Sequence, residues 1–98
     1  MYRLFKTATY AKWEASLKDR LARMVILERL ARLECGHFGD CRPVGENVLE
    51  LRIALGPGYR IYLTLRGPEI ILLLCAGDKD SQSRDIAAAK RIKRGLSA

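Results

Sequence analysis

The sequence predicts an α+β protein. Three observations carry that reading. Apolar residues recur at helical spacing through the first third of the chain. Two alternating segments then flank Gly56-Pro57-Gly58 and lead into an all-apolar run. A basic segment with helical spacing closes the chain.

The elements follow in order. Tyr2 to Lys6 reads as a short strand. Thr7 or Thr9 is placed to cap the helix that follows, where Tyr10, Trp13 and Leu17 recur at helical spacing. A second stripe of Leu21, Met24, Leu27, Leu30 and Leu33 is expected to face the core, with Arg20, Arg23, Glu28 and Arg32 in water. The pattern fits one helix bent near Lys18-Asp19-Arg20 or two helices forming a hairpin. Gly36 is a natural stop. The stretch from Gly36 to Gly45 carries four Gly or Pro residues and is expected to be a loop.

In the next segment Leu49, Leu51, Ile53 and Leu55 share one parity, and Glu50, Arg52 and Ala54 the other. After the turn, Tyr59, Ile61, Leu63 and Leu65 alternate with Arg60, Tyr62, Thr64 and Arg66. Successive strand side chains point to opposite faces, so this hairpin offers one apolar face and one face bearing Arg52, Arg60, Tyr62 and Arg66. Like parity must stand opposite like parity for the apolar face to stay whole. The register that pairs Ile53 with Ile61, Leu51 with Leu63 and Arg52 with Tyr62 does this. It leaves Gly56-Pro57-Gly58 as a three-residue loop with one glycine at positive φ. Ile70 to Cys75 is apolar at both parities, which predicts a strand covered on both faces. The last helix is expected from about Ser81 to Leu96. Asp80 or Ser81 would cap it, Asp85 would complement its dipole, and Ala89, Ile92 and Leu96 would form a narrow apolar stripe.

With 98 residues, the expectation is one domain spanning 1–98. Apolar content of 49% and charged content of 30% exclude a disordered chain. No run approaches the roughly 18 apolar residues of a membrane span, and Met1-Tyr2-Arg3-Leu4-Phe5-Lys6 lacks the apolar core of a signal peptide, so a cytoplasmic protein without membrane contact is expected. The three cysteines are an odd count, which argues against a disulfide framework. Cys35, Cys41 and His37 fall short of the about four ligands zinc requires, so no metal site is expected, and Cys75 reads as a small core residue. No Ser-His-Asp signature or phosphate-binding glycine motif is present. The net charge of +7 favours a polyanion or an acidic partner. Its distribution sharpens this, because Arg52, Arg60, Arg66 and Lys79 lie on or beside the strands while Lys90, Arg91, Lys93 and Arg94 crowd the last helix.

Ordered motifs run through nearly the whole chain. They include Trp13-x-x-x-Leu17-x-Asp19, Arg29-Leu30-Ala31-Arg32-Leu33, Gly36-x-Phe38-Gly39-Asp40 and Pro43-Val44-Gly45. Glu50-Leu51-Arg52-Ile53, Gly56-Pro57-Gly58-Tyr59-Arg60-Ile61-Tyr62 and Gly77-Asp78-Lys79 follow, then Gln82 and Asp85-Ile86. In this order and spacing the chain resembles the HigB-like addiction-module killer proteins of the RelE/ParE toxin superfamily. The resemblance implies a RelE/ParE-like α+β fold, with an N-terminal helical hairpin packed on a small antiparallel β-sheet and a C-terminal helix. It implies the toxin of a type II toxin–antitoxin system, an mRNA interferase that inhibits translation. Such a toxin is a ribosome-dependent endoribonuclease that needs neither metal nor small-molecule cofactor. The partners implied are a cognate antitoxin of helix-turn-helix type, the ribosome and mRNA. The ParE-like branch, which poisons DNA gyrase without catalysis, is the alternative, and an inactive or regulatory relative is a third.

Cleavage by the RNA 2′-hydroxyl needs an in-line backbone, a stabilised phosphate charge and proton transfer. Arginine suits the second task, because its planar fork stays charged and binds phosphate bidentately. Arg52, Arg60 and Lys79 are therefore the candidate catalytic residues. Tyr62, Arg66 and Glu50 are the candidate substrate-binding residues, Tyr62 by stacking on a base or donating a proton. The competing reading makes the arginines strand residues paired with Glu50, Lys79 a cation neutralised by Asp78 and Asp80, and Tyr62 an aromatic packed under the last helix. No Tyr follows Tyr62 and no His follows His37. The chain thus lacks the C-terminal proton carrier of many active relatives, and the general base stays unassigned.

Overall fold

Thr7 ends the first strand and starts the first helix. Its Oγ1 accepts from the Tyr10 N–H at 3.1 Å and donates to the Leu74 carbonyl at 2.7 Å, which ties the helix start to a central strand. The computed structural model describes residues 1–97. The elements are β1 (Arg3–Lys6), α1 (Ala8–Ser16), α2 (Arg20–Glu34), β2 (Cys41–Gly45), β3 (Val48–Ile53), β4 (Tyr59–Arg66), β5 (Ile70–Gly77) and α3 (Gln82–Ser97). Between α1 and α2, Leu17 is extended and the Asp19 carboxylate accepts from the Ala22 N–H at 3.2 Å. A fresh cap restarts the helix, so the two-helix alternative holds. Gly36, at φ +86°, ends α2 and lets the His37 N–H reach back to the Arg32 carbonyl.

The five strands run in the order β1-β5-β4-β3-β2, antiparallel except for β1, which lies parallel to β5. The stretch expected as a loop contains β2. Its Pro43 and Gly45 hid the strand, yet Pro43 is tolerated because β2 is an edge, and a register shift follows between Pro43 and Gly45.

The hairpin register also differs from expectation. Leu51 pairs with Ile61, Arg52 with Arg60, Glu50 with Tyr62 and Ile53 with Tyr59. Ile53 does not face Ile61, and Arg52 does not face Tyr62. The slip is two residues, so every side chain keeps its predicted face. The cause lies in the connection, which spans five residues from Ala54 to Gly58 and is centred on Gly56. Gly56 and Gly58 both take positive φ, at +56° and +80°, and the Gly58 N–H bonds the Leu55 carbonyl at 3.1 Å.

One sheet face carries Leu51, Ile53, Ile61, Leu63, Ile71 and Leu73 under α1 and α2; the other carries Val48, Tyr62, Leu74 and Cys75 under Ala89 of α3. A bulge places Leu74 and Cys75 on the same side, because Tyr62 pairs with Cys75 and Leu63 with Leu73. The run apolar at both parities is covered on both faces, as expected.

Two stripes are corrected. In α2 the buried residues are Ala22, Ile26, Leu30 and Leu33, while Leu21, Met24 and Leu27 are 57%, 67% and 53% exposed. The helix is apolar on two sides, and Ile26, Leu30 and Leu33 join the core beneath the sheet. In α3, Ile86 and Ile92 pack beside Ala89, and Leu96 is exposed. All three cysteines are free, and Cys75 is buried. No helix among the described residues is long and apolar enough to cross a membrane.

Candidate functional site

Period-two geometry puts Glu50 and Arg52 on the α3 side of β3, and the hairpin sets Tyr62 and Arg60 directly across from them. Gln82, in the first turn of α3, closes the group from above. Glu50 is fully buried. It accepts from Arg52 Nε at 2.7 Å, Tyr62 Oη at 2.9 Å and Gln82 Nε2 at 2.9 Å. Burial alone would push this carboxyl up. The hydrogen bonds from Arg52, Gln82 and Tyr62, with the Arg52 charge, outweigh it and hold Glu50 below the usual range. The Tyr62 hydroxyl moves upward, through burial first and then its bond to Glu50. Arg52 is held more firmly protonated by Glu50.

Arg60 is different. Its Nε stands 3.9 Å from Glu50 Oε2, close enough for attraction and too far for a hydrogen bond. Its Nε and Nη1 are buried with no hydrogen-bond partner among the described residues. Most buried donors are satisfied, and each that is not costs about 1–3 kcal/mol. Arg60 and Arg52 line a surface hollow of about 230 Å³ with Asp40, Gly58 and Tyr59.

The surrounding backbone is held from two sides. The Arg52 N–H donates to the Asp40 carbonyl at 2.9 Å. From α2, Arg29 Nη1 donates to the Arg52 carbonyl at 2.8 Å and Nη2 to the Phe38 carbonyl at 3.3 Å. Burial lowers the Arg29 pKa, yet arginine remains charged. On the far side, a Cβ at Gly77, the partner of Arg60, would fall 1.8 Å from Asp85 Oδ2. Only glycine lets the start of α3 lie so close to the sheet that Gln82 meets Glu50.

Four predicted site residues therefore meet: Glu50, Arg52, Arg60 and Tyr62. The pairing of Arg52 with Glu50 is the competing structural role, realised. Tyr62 is fully buried, so in this arrangement it presents no face for a base. Lys79 is exposed against the hairpin loop, where its N–H reaches the Pro57 carbonyl at 3.5 Å, and among the described residues it forms no ion pair with Asp78 or Asp80. Arg66 does not join the group. It pairs with Ile70 six residues along β4 from Arg60, roughly 20 Å away, and is exposed. Sequence reasoning assigned no role to Asp40, Gln82 or Arg29. All three lie within the quoted motifs, but their roles depend on contacts between distant segments. No group of three or more His, Cys, Asp or Glu among the described residues is placed to hold a metal ion.

The architecture defines the class as a RelE-like α+β fold. A double arginine-to-alanine mutant of the E. coli toxin RelE, solved in the free state, superposes with a TM-score of 0.67 at 16% identity, covering 93% of this chain and 97% of that one. In sequence the chain is 41% identical over 90 residues to an uncharacterized protein of Haemophilus influenzae, covering 92% of this chain and 91% of that protein. The chain belongs to the family of that protein. No protein-family model matches it.

Proposed function

We propose that this chain is a HigB-like toxin of a type II toxin–antitoxin module, a cytoplasmic, single-domain, metal-independent endoribonuclease acting on ribosome-bound mRNA. One observation carries the reading: Arg60, whose buried Nε and Nη1 have no acceptor among the described residues, stands beside Arg52 in the wall of a surface hollow. An anionic phosphate oxygen is the acceptor that best suits such a fork. The RelE-like fold supports the class.

In this reading the 2′-oxygen attacks the adjacent phosphorus, the bond to the 5′-oxygen breaks, and a cyclic phosphate and a 5′-hydroxyl result, the leaving 5′-oxygen taking its proton from water. Arg60 and Arg52 stabilise the charge that builds on the non-bridging oxygens. Lys79, exposed at the rim, adds a third cation. Glu50 is the counter-ion that fixes the arginines. The exposed Asp40 carboxylate on the same hollow takes the 2′-hydroxyl proton. Tyr62 positions Glu50 rather than touching substrate. A second reading, a gyrase poison, draws support from the burial of Tyr62 and Glu50, which removes both from direct contact with RNA.

Cleavage of mRNA on programmed ribosomes, run beside a gyrase-cleavage assay, decides between them. Arg60→Ala is expected to lower the rate by about two to three decades, equivalent to about 3–4 kcal/mol of barrier. Arg60→Lys restores only part, because an ammonium keeps the charge and loses the fork. Arg60→Ala also removes two unsatisfied buried donors, so its melting temperature should equal or exceed wild type. Wild-type cleavage rates in folded Arg60→Ala would refute the clamp. Gyrase-dependent DNA breaks without RNA cleavage would transfer the assignment to the second reading.

A further inference from the structure

A second cavity, of about 600 Å³, opens between α1, the end of β5 and the start of α3. Trp13, Gly77, Asp78, Asp80, Arg84 and Asp85 stand in its wall. Two links join it to the arginine hollow. Gly77 is the strand partner of Arg60. Tyr59, which lines the hollow, meets the Trp13 ring edge-to-face with 6.0 Å between centroids. Adjacent strands lie about 4.8 Å apart, so one nucleotide can reach both cavities.

The lining selects the ligand. Three acids against one base make this cavity locally negative in a chain of net charge +7. It therefore disfavours a phosphate and favours a group rich in N–H donors, while Arg84 opposes a cationic side chain. Trp13 is half-buried, and its contacts with Tyr10 and Tyr59 hold the ring in place. Such a ring suits the flat face of a nucleobase, because RNA is read by stacking unpaired bases and bonding their edges. Two of the acids are already engaged. Asp78 Oδ1 accepts from the Asp80 N–H at 2.9 Å and the Ser81 N–H at 3.2 Å, and Asp85 Oδ2 accepts from the Ser81 hydroxyl. The Asp80 carboxylate and the Arg84 guanidinium are exposed and make no hydrogen bond or ion pair among the described residues. A free carboxylate and a free guanidinium fork together match guanine. Its N1–H and N2–H2 donate to a carboxylate, and its O6 and N7 accept from arginine. Adenine places a donor where guanine has O6 and lacks the paired donors.

We propose that this cavity holds a guanine base of the RNA, next to the phosphate taken by the arginine hollow. Trp13 stacks on the base, Asp80 accepts from its N1–H and N2–H2, and Arg84 donates to its O6 and N7. Resting on the ribonuclease reading, this makes Trp13, Asp80 and Arg84 the residues that set sequence preference.

Trp13 is the only tryptophan, so its fluorescence reports binding without any cleavage step. Guanosine monophosphate should quench it with an affinity about ten-fold higher than adenosine or inosine monophosphate, inosine lacking the 2-amino group. Asp80→Ala should bind the guanosine and inosine nucleotides alike. Arg84→Ala should bind guanosine and 7-deazaguanosine monophosphate alike, where wild type prefers the first. Both variants should keep the wild-type circular dichroism. On programmed ribosomes, wild type should favour a guanine beside the cut, and Asp80→Ala should lose that preference. Equal quenching by guanosine and adenosine monophosphate in wild type overturns the base pocket and leaves the ribonuclease reading standing. A guanine preference that survives both substitutions also overturns it. Guanine-selective quenching by a wild type that cuts no RNA overturns the ribonuclease reading, and with it RNA as the source of the base.

Discussion

Replacing Glu50 with Gln tests the buried carboxylate at nearly constant shape. Glu50 accepts three hydrogen bonds, from Arg52, Tyr62 and Gln82, and is fully buried. The amide has one acceptor oxygen where the carboxylate has two, and its NH2 must face at least one of those donors. It also removes the negative charge between Arg52 and Arg60, which stand directly opposite each other across the strand pair. Removing one partner of a buried ion pair costs about 3–5 kcal/mol, and the isostere recovers part of that, so Glu50→Gln should cost about 2–4 kcal/mol. For a domain near 100 residues this is a melting temperature lower by roughly 10–30 °C. The pH dependence gives a second reading. The folded pKa of Glu50 lies below its ordinary value. Its contribution is therefore full above the unfolded value of about 4.3 and is lost as pH falls through the folded value. Unfolding of both proteins in urea, followed by circular dichroism at neutral and at acid pH, measures the gap directly. The gap should be widest at neutral pH and should close on acidification. A gap under about 0.5 kcal/mol at pH 7, or one that does not change with pH, would refute the claim that the charged form is what the surroundings stabilise.

Two further outcomes are expected. Gly77→Ala forces the Asp85 side chain out of its bond to Ser81, costing about 1–3 kcal/mol in urea unfolding, and the added substitution Asp85→Ala should recover part of that loss. Arg29→Lys keeps the charge but cannot serve the Arg52 and Phe38 carbonyls with one planar fork. It should lower stability by about 1–3 kcal/mol and, if Arg29 aims Arg52, should reduce kcat for RNA cleavage more than it raises KM.

Face assignments were readable in the sequence because parity survives a slip of two residues. Arg52, Arg60, Glu50 and Tyr62 share a face in either register. The register itself was not readable, because it depends on whether the glycine-rich connection uses three residues or five. The β2 edge strand was hidden for a related reason: Pro43 and Gly45 read as loop residues, and only the pairing of Arg42 with Glu50 shows what they belong to. Leu21, Met24 and Leu27 misled by size. A helix with apolar residues on two sides has no unique phase in sequence, and the phase here is chosen by Ile26, Leu30 and Leu33 against the sheet. The helix start at Gln82 was nearly placed by charge and capping patterns, but its contact with Glu50 joins residues 32 positions apart. No local pattern encodes that.

Glu50 has two effects on the arginines that pull in opposite directions. By neutralising Arg52 it allows two guanidinium groups to stand side by side on a sheet, an arrangement that like-charge repulsion alone would disfavour. By the same attraction it competes with any phosphate for them. The geometry divides the two arginines between these tasks. Arg52 Nε is committed to Glu50 at 2.7 Å, whereas Arg60 Nε is held at 3.9 Å and has no hydrogen-bond acceptor among the described residues. Arg60 has therefore already lost water from two donors without gaining an acceptor. An anion that reaches them, once the atoms covering them give way, is not opposed by that desolvation a second time. If the Arg60 donors are a poised anion site, substitutions that strengthen the Arg60–Glu50 contact should stabilise the fold and weaken the function together. Stability and cleavage measured across such variants would then move in opposite directions.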